Sequence, residues 1–526
     1  MNAAAPAAAP AAARPPGPPP FNLRLAMGLL GAVLAAIVAG LNNRVPGLAL
    51  ADLQGALGLA RDDASWLNTA YAAGELAATP FATWFAITFS LRRFHLGILA
   101  GALALAALMP FVRDLHLLLA LRTLQGLLSG GLVPLLMVAA LAFLPPPIRL
   151  HGLALYALTS TFSPNLATWL AAWCVDQLQD WRWVYWHVLP IGLLALGLIA
   201  WGIPKTPPAM GRFRQGDWLG MALGVPGLAL LVLALDQGVR LDWLRSPLIA
   251  TCLLLGTVLT ALFLAFEWRH PAPFIKLQML GRRNLWLGFS VFLMLLMISA
   301  TAVTLPVNVL GPLQGFRLEQ SSALGLIVGL PQLVLGSAVA LLLYQRWVDA
   351  RQLFAAGLLL IAGGCWLGSG ITSDWMVAQF VPAEIAYAIG LPMAIVPLLF
   401  LATSVVQPAE GAYVAGIVNT LRAFGAVLGG AVVGQLLAVR SRFHADMLLD
   451  QAGQLQANLA STDLALGPLA AAIAREASVL ATADAYRVFG LLALGLAPVV
   501  LILKYIAPPA SHPRSHAPAA AAPAAP

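Results

Sequence analysis

The sequence predicts an all-α polytopic membrane protein, and three observations lead there. Of 526 residues, 60% are hydrophobic and 10% charged, with a mean hydropathy of +0.85; soluble domains carry about 25% charged residues. Apolar stretches of ~20 residues recur along almost the whole chain, each long enough at 1.5 Å per residue to cross ~30 Å of hydrocarbon. Strand-like alternation is absent, so the spans have to be helices that satisfy their own backbone hydrogen bonds.

Polar, proline and glycine punctuation divides the apolar runs into about fourteen helices. The first six are predicted at 25–52, 66–88, 95–112, 117–141, 152–174 and 184–203, followed by two at 218–236 and 247–267. The last six are predicted at 284–308, 322–343, 352–371, 376–401, 411–438 and 486–506. The segment between the final two, 439–485, has apolar residues at helical spacing among polar ones and reads as an amphipathic helix lying near the outer surface. Both ends, "MNAAAPAAAPAAARPPGPPP" and "APPASHPRSHAPAAAAPAAP", are Ala/Pro-rich and are expected to be disordered. The resulting division is a tail at 1–22, six helices in 23–203, a linker with two helices in 204–275, six helices in 276–507, and a second tail at 508–526.

An even number of spans puts both tails on one side. Short loops on that side carry Arg92, Arg93, Arg149, Lys205, Arg212, Arg214, Arg269, Lys276, Arg282, Arg283, Arg346 and Arg351, so the positive-inside rule predicts cytoplasmic termini. This bias accounts for the net charge of +8 without nucleic acid. The three cysteines, Cys174, Cys252 and Cys365, are dispersed among apolar runs and build neither a disulfide framework nor a metal site. No cofactor or metal is expected. Neither Gly-x-Ser-x-Gly, His-Glu-x-x-His nor an ATP-binding loop occurs, which argues against an enzyme or a primary pump.

Five charges fall well inside predicted helices, away from the last residues at either end: Arg44, Glu75, Arg122, Glu384 and Arg422. Charges in hydrocarbon are costly and face a cavity or one another. Arg44 and Glu75 both lie ~12–14 Å below the outer ends of adjacent helices, so they are expected to face each other across the first hairpin. The alternative for Arg44 is an early end to helix 1, with the guanidinium reaching the surface. Arg122 either borders a cavity or ties down backbone carbonyls of helix 1. Arg422 has no partner legible in the sequence, and Glu384 reads as an interfacial acid.

Several motifs give these charges a context. "LRTLQGLLSGGLVP" (121–134) carries Arg122, Gln125 and Gly126 in an Arg-x-x-Gln-Gly pattern. "DWRWVYWHVLPIG" (180–192) opens the sixth helix, and "FSPNLATWLAAWCVD" (162–176) places Pro164 and Asn165 in the fifth. "LALDQGVRLDW" (233–243), "LPVNVLGPLQGF" (305–316) and "GIVNTLRAFGAVLGGAV" (416–432) complete the set. Together they resemble the major facilitator superfamily, in its fourteen-helix EmrB/QacA-type drug:proton antiporter branch. The resemblance runs from about residue 25 to 505.

It implies a major facilitator fold of two six-helix bundles plus two additional central helices. It further implies proton-coupled export of small amphipathic organic compounds across a bacterial inner membrane, with a periplasmic adaptor and an outer-membrane channel as partners. A dedicated metabolite or siderophore exporter, or an uptake symporter of the same fold, is the alternative. The expected cavity and proton-coupling residues are Asn42, Asn43, Arg44, Glu75, Arg122, Gln125, Asn165 and Arg422; the expected gating residues are Arg92, Arg93, Gly126 and Pro164. Two departures stand out. Ile87 occupies the place of the acid after helix 2, and "LNNR" (41–44) replaces an acid followed by hydroxyl residues. Arg44 in that place points to anionic substrates.

Overall fold

The computed structural model describes residues 21–407, 410–458 and 466–508; the Ala/Pro stretches 1–20 and 509–526 lie outside the described residues. Each predicted apolar run forms a helix. The first six are α1 (Leu23–Leu48), α2 (Arg61–Phe89), α3 (Leu91–Phe111), α4 (Leu115–Phe143), α5 (Arg149–Ala172) and α6 (Trp183–Gly202). Two follow as α7 (Trp218–Gly238) and α8 (Pro247–Arg269). The remaining six are α9 (Arg283–Gln314), α10 (Leu318–Leu343), α11 (Ala350–Gly368), α12 (Val377–Thr403), α13 (Gly411–Asn458) and α14 (Leu466–Leu501). Twelve of these are long and apolar enough to cross a membrane by length and composition alone; α2 and α5, the other two, carry more polar residues.

Much of the packing joins helices that are not neighbours in sequence. α1 packs on α5 and α6, and α2 on α4; in the second set α11 packs on α12 and α14, and α9 on α13. The sets meet where α5 packs on α10 and α2 on α13. The two additional helices pair with each other, and α7 also packs on both α2 and α13, along the seam. α8 presents Leu254, Leu255, Val258 and Leu262 outward, as a lipid-facing helix must.

Among the described residues four spans are interrupted. α4 breaks at Gly130 and Gly131, α6 at His187, α10 at Leu330 and Pro331, and α9 over Ala300–Val303. Broken backbone is tolerated at membrane depth where it is buried in protein or lines a cavity. In α9 the Thr301 hydroxyl donates to the Ile298 carbonyl at 2.7 Å and lies 2.8 Å from the Tyr387 hydroxyl, which satisfies part of the interruption.

The segment expected to lie along the surface does something else. α13 runs unbroken for 48 residues, ~70 Å at 1.5 Å per residue, far beyond ~30 Å of hydrocarbon. With α14 it forms a helical hairpin that continues the two spans past the membrane, because its apolar positions pair the two helices with each other. Arg440 Nη2 lies 2.6 Å from Asp484 there, and His444 Nε2 is 2.7 Å from the same carboxylate. Residues 459–465 of the predicted segment lie outside the described residues.

On the face that carries the chain ends, Glu410 clasps the starts of α9 and α13. Its carboxylate takes both Nη groups of Arg282, at 2.7 and 3.0 Å, and Lys276 Nζ at 3.2 Å. The Arg282 guanidinium holds that carboxyl down to about 2.

Candidate functional site

A cavity of about 360 Å³ lies between the two sets of helices, walled by α1, α2, α5, α7, α9, α12 and α13. Its ionic members are Arg44, Glu75, Asp236 and Arg422. Amides and hydroxyls complete the polar wall, among them Asn43, Asn68, Asn165, Asn308, Thr159, Ser160, Thr168 and Ser299. The cavity extends toward the face opposite the chain ends, where Leu48, Asn68 and Asn308 approach the ends of their helices. Toward the other face it is closed by α13. The Gly416 Cα hydrogen faces the Pro80 carbonyl and Thr83 hydroxyl, with room for only a methyl group at 3.5 and 3.4 Å. Beside it the Tyr156 hydroxyl donates to Asn419 Oδ1 at 3.0 Å.

Glu75 sits midway along α2, and the sequence explains why its backbone is held so firmly. Gly74, Gly126 and Gly130 let α2 and α4 touch backbone to backbone. A Cβ on Gly126 would fall 2.1 Å from the Tyr71 carbonyl oxygen, and one on Gly130 would fall 2.4 Å from that of Glu75. The carboxylate is therefore aimed away from α4, into the cavity. There Oε2 accepts from the Asn43 amide of α1, and Oε1 lies 3.4 Å from Nη2 of Arg422 on α13. One carboxylate thus joins both sets of helices.

This corrects the pairing expected from the sequence. Glu75 is matched by Arg422, not by Arg44. α1 continues through Pro46 to Leu48, so Arg44 stays at membrane depth. Its guanidinium opens into the cavity, with no carboxylate at ion-pair distance among the described residues. The hairpin geometry turns Asn43 toward Glu75 and Arg44 toward the open space one residue on.

Three other expected cavity residues lie outside it. Arg122 is 0% exposed: Nη1 donates to Gln125 Oε1 at 2.8 Å and to the Asn42 carbonyl at 3.4 Å, and its guanidinium lies 4.5 Å from the Tyr71 ring centre. It ties α4 to α1, the structural alternative. Gln125 and Asn42 are buried in the same contact. The helical period puts these side chains on the face of α4 and α1 opposite the cavity. Asn165 and Pro164 do line the cavity; the Asn165 amide is turned back to the Thr161 carbonyl at 2.5 Å. Arg92 donates to the Ala200 carbonyl at the end of α6, and Arg93 is exposed; neither forms an ion pair among the described residues. The turn between α2 and α3 is Ser90 alone, with φ 82°. Glu384 is no interfacial acid: it is 0% exposed within α12, and neither carboxyl oxygen has a hydrogen-bond partner among the described residues.

Asp236 was missed. The helix predicted at 218–236 stops at Asp236, whereas α7 continues through Gly238 and turns Asp236 into the cavity. The signal was an acid two residues before the end of an apolar run, which sequence alone assigns to either side of a helix end.

A bundle whose ions line a polar chamber between two helical sets is the architecture of a membrane transporter. The sequence profile of the Major Facilitator Superfamily matches residues 32–430, and the chain belongs to that superfamily. It is 24% identical over 420 residues to the fatty acid resistance protein FarB of Neisseria gonorrhoeae, covering 80% of this chain and 82% of the relative. It is 24% identical over 424 residues to the colistin resistance protein EmrB of Acinetobacter baumannii, covering 78% and 81%. Against the multidrug export protein EmrB of Escherichia coli the figures are 22% over 435 residues, with 81% and 82% covered. Two solved structures share the fold. The human organic anion transporter MFSD10 aligns with a TM-score of 0.55 at 17% identity, covering 90% of this chain and 99% of that one. The proton:xylose symporter XylE aligns with a TM-score of 0.57 at 12% identity, covering 92% and 96%.

Proposed function

We propose that the protein is a proton-coupled exporter of small amphipathic organic compounds across a bacterial inner membrane, with its termini cytoplasmic. The observation that carries this reading is the Glu75 carboxylate, held between Asn43 of α1 and Arg422 of α13 at the wall of the cavity. A proton on Glu75 removes the charge that holds Arg422, and α13 is then free to move relative to α2. A substrate that occupies the cavity acts on the same contact, so proton and substrate bias one equilibrium between two arrangements. Helices 23–203 and 276–507 would rock as the two halves, with 204–275 as the inserted pair. Gly126, Pro164, Arg92 and Arg93 would serve the gate.

Export, not uptake, is supported by the relatives, which are resistance and multidrug export proteins. Arg44, open to the cavity, supports anionic compounds among the substrates, and the fatty acid resistance protein among the relatives agrees. The projecting α13–α14 hairpin supports a periplasmic adaptor, leading to an outer-membrane channel, as partner. The test is transport by proteoliposomes under an imposed pH gradient. Glu75→Gln is expected to abolish proton-driven transport while the protein still folds and binds substrate; transport at the wild-type rate would remove Glu75 from the mechanism.

A further inference from the structure

The cavity holds two ions without ionic partners, and their signs are opposite. Arg44 of α1 is exposed to the cavity, and the nearest acid, Glu75, is already engaged by Asn43 and Arg422. Asp236 comes from α7, one of the two additional helices, and is likewise exposed to the cavity. Its carboxylate accepts from the Thr69 hydroxyl of α2. The cation that follows it in sequence, Arg240, is occupied elsewhere: it pairs with Asp62 at 2.9 Å and donates to Gln237 at 2.6 Å. Among the described residues, no cation pairs with Asp236 and no anion pairs with Arg44.

The same contacts place them on the cavity wall. Asp236 is bonded to Thr69, which precedes Glu75 on α2 by ~9 Å of helical rise. Arg44 directly follows Asn43, whose amide reaches Glu75. The two free charges therefore stand on different helices of the wall, Arg44 on α1 and Asp236 on α7. Unpaired ions in a membrane protein are costly, and these two form no ion pair with each other among the described residues. One ligand bearing both charges relieves both.

We propose that this cavity takes amphoteric organic compounds, with a carboxylate set against Arg44 and a protonated amine against Asp236. The inserted helix α7 thereby supplies a specificity-determining residue to the substrate site. This rests on the cavity being the substrate site, and it narrows the substrate class from anionic compounds to those that also carry a basic amine.

The test is equilibrium binding to nanodisc-embedded protein at neutral pH, with no gradient imposed. Three probes suffice: ciprofloxacin, with a carboxylate and a basic amine at opposite ends of a flat ring system; nalidixic acid, a related acid without that amine; and the cation ethidium. Wild-type protein is expected to bind ciprofloxacin about tenfold more tightly than either other probe. Asp236→Asn should bring ciprofloxacin to the level of nalidixic acid and leave nalidixic acid unchanged. Arg44→Gln should weaken both acids and spare ethidium. Asp236→Glu, which keeps the charge, should retain at least part of the preference, and thermal unfolding of each variant confirms that it folds. Equal affinities for the three probes in the wild type, or an Asp236→Asn variant that weakens all three alike, would overturn the proposal. Because binding is read without a gradient, this outcome is separate from failure of proton coupling, which Glu75→Gln reports.

Discussion

At the scale of single residues, the ions in the helices sort by the company each keeps. Glu75 has an amide and a guanidinium, Arg122 has an amide, a carbonyl and an aromatic face, and Arg44 has open space. Glu384 has no donor among the described residues. Its two oxygens are buried between α11, α12 and α14, near Cys365, Tyr387 and Tyr486. A buried polar group left unpaired costs about 1–3 kcal/mol. Glu384→Met, of similar volume, is therefore expected to raise stability by about that amount, read as a higher unfolding temperature in detergent; a lowered temperature would show that the carboxyl has a stabilising contact. The sequence allowed all five ions to be found, because a charge in an apolar run is conspicuous. It did not allow them to be paired. One residue of rotation separates Asn43 from Arg44, and no spacing rule for α1 and α2 reveals that the partner of Glu75 arrives on α13, hundreds of positions away.

At the scale of elements, the crossing of α2 and α4 matters most, because it sets where Glu75 stands. Gly126 was legible as part of an Arg-x-x-Gln-Gly pattern and was expected to serve gating; its visible task is close approach. Even one methyl group at Gly126 would meet the Tyr71 carbonyl. Gly126→Ala is expected to push the two helices apart, cost about 1–3 kcal/mol, and lose transport in proportion to the displacement of Glu75. Unfolding in detergent and transport in proteoliposomes check the two halves of that statement; an unchanged unfolding temperature together with unchanged transport refutes it. Helix existence was readable everywhere from apolar length. Helix ends were not: α7 runs two residues past its predicted end at Asp236, which leaves that acid within the helix, and α13 continues for twenty residues past its expected stop at 438. Polar residues in a helix that leaves the membrane look, in sequence, like polar residues in a loop.

At the scale of the whole molecule, a transport cycle requires the two helical sets to part on the face that α13 now closes. Gly416 of α13 lies against Pro80 and Thr83 of α2, so their side-chain positions are within disulfide reach. A double variant with Thr83→Cys and Gly416→Cys is expected to stop transport on oxidation and regain it on reduction, with each single variant indifferent to oxidant. The three native cysteines are buried and free, so they give little background. Continued transport by the cross-linked protein would rule out separation at this contact. The seam between the two sets was not legible, since it is built from contacts distant in sequence. The polarity of α2 and α5 has one more consequence, for biosynthesis. These are the helices that supply much of the polar wall of the cavity, and they are not among the twelve apolar enough to enter a bilayer on their own composition. Their polar stripes make these two spans lean more than the others on neighbouring helices for shielding from lipid as the chain is inserted.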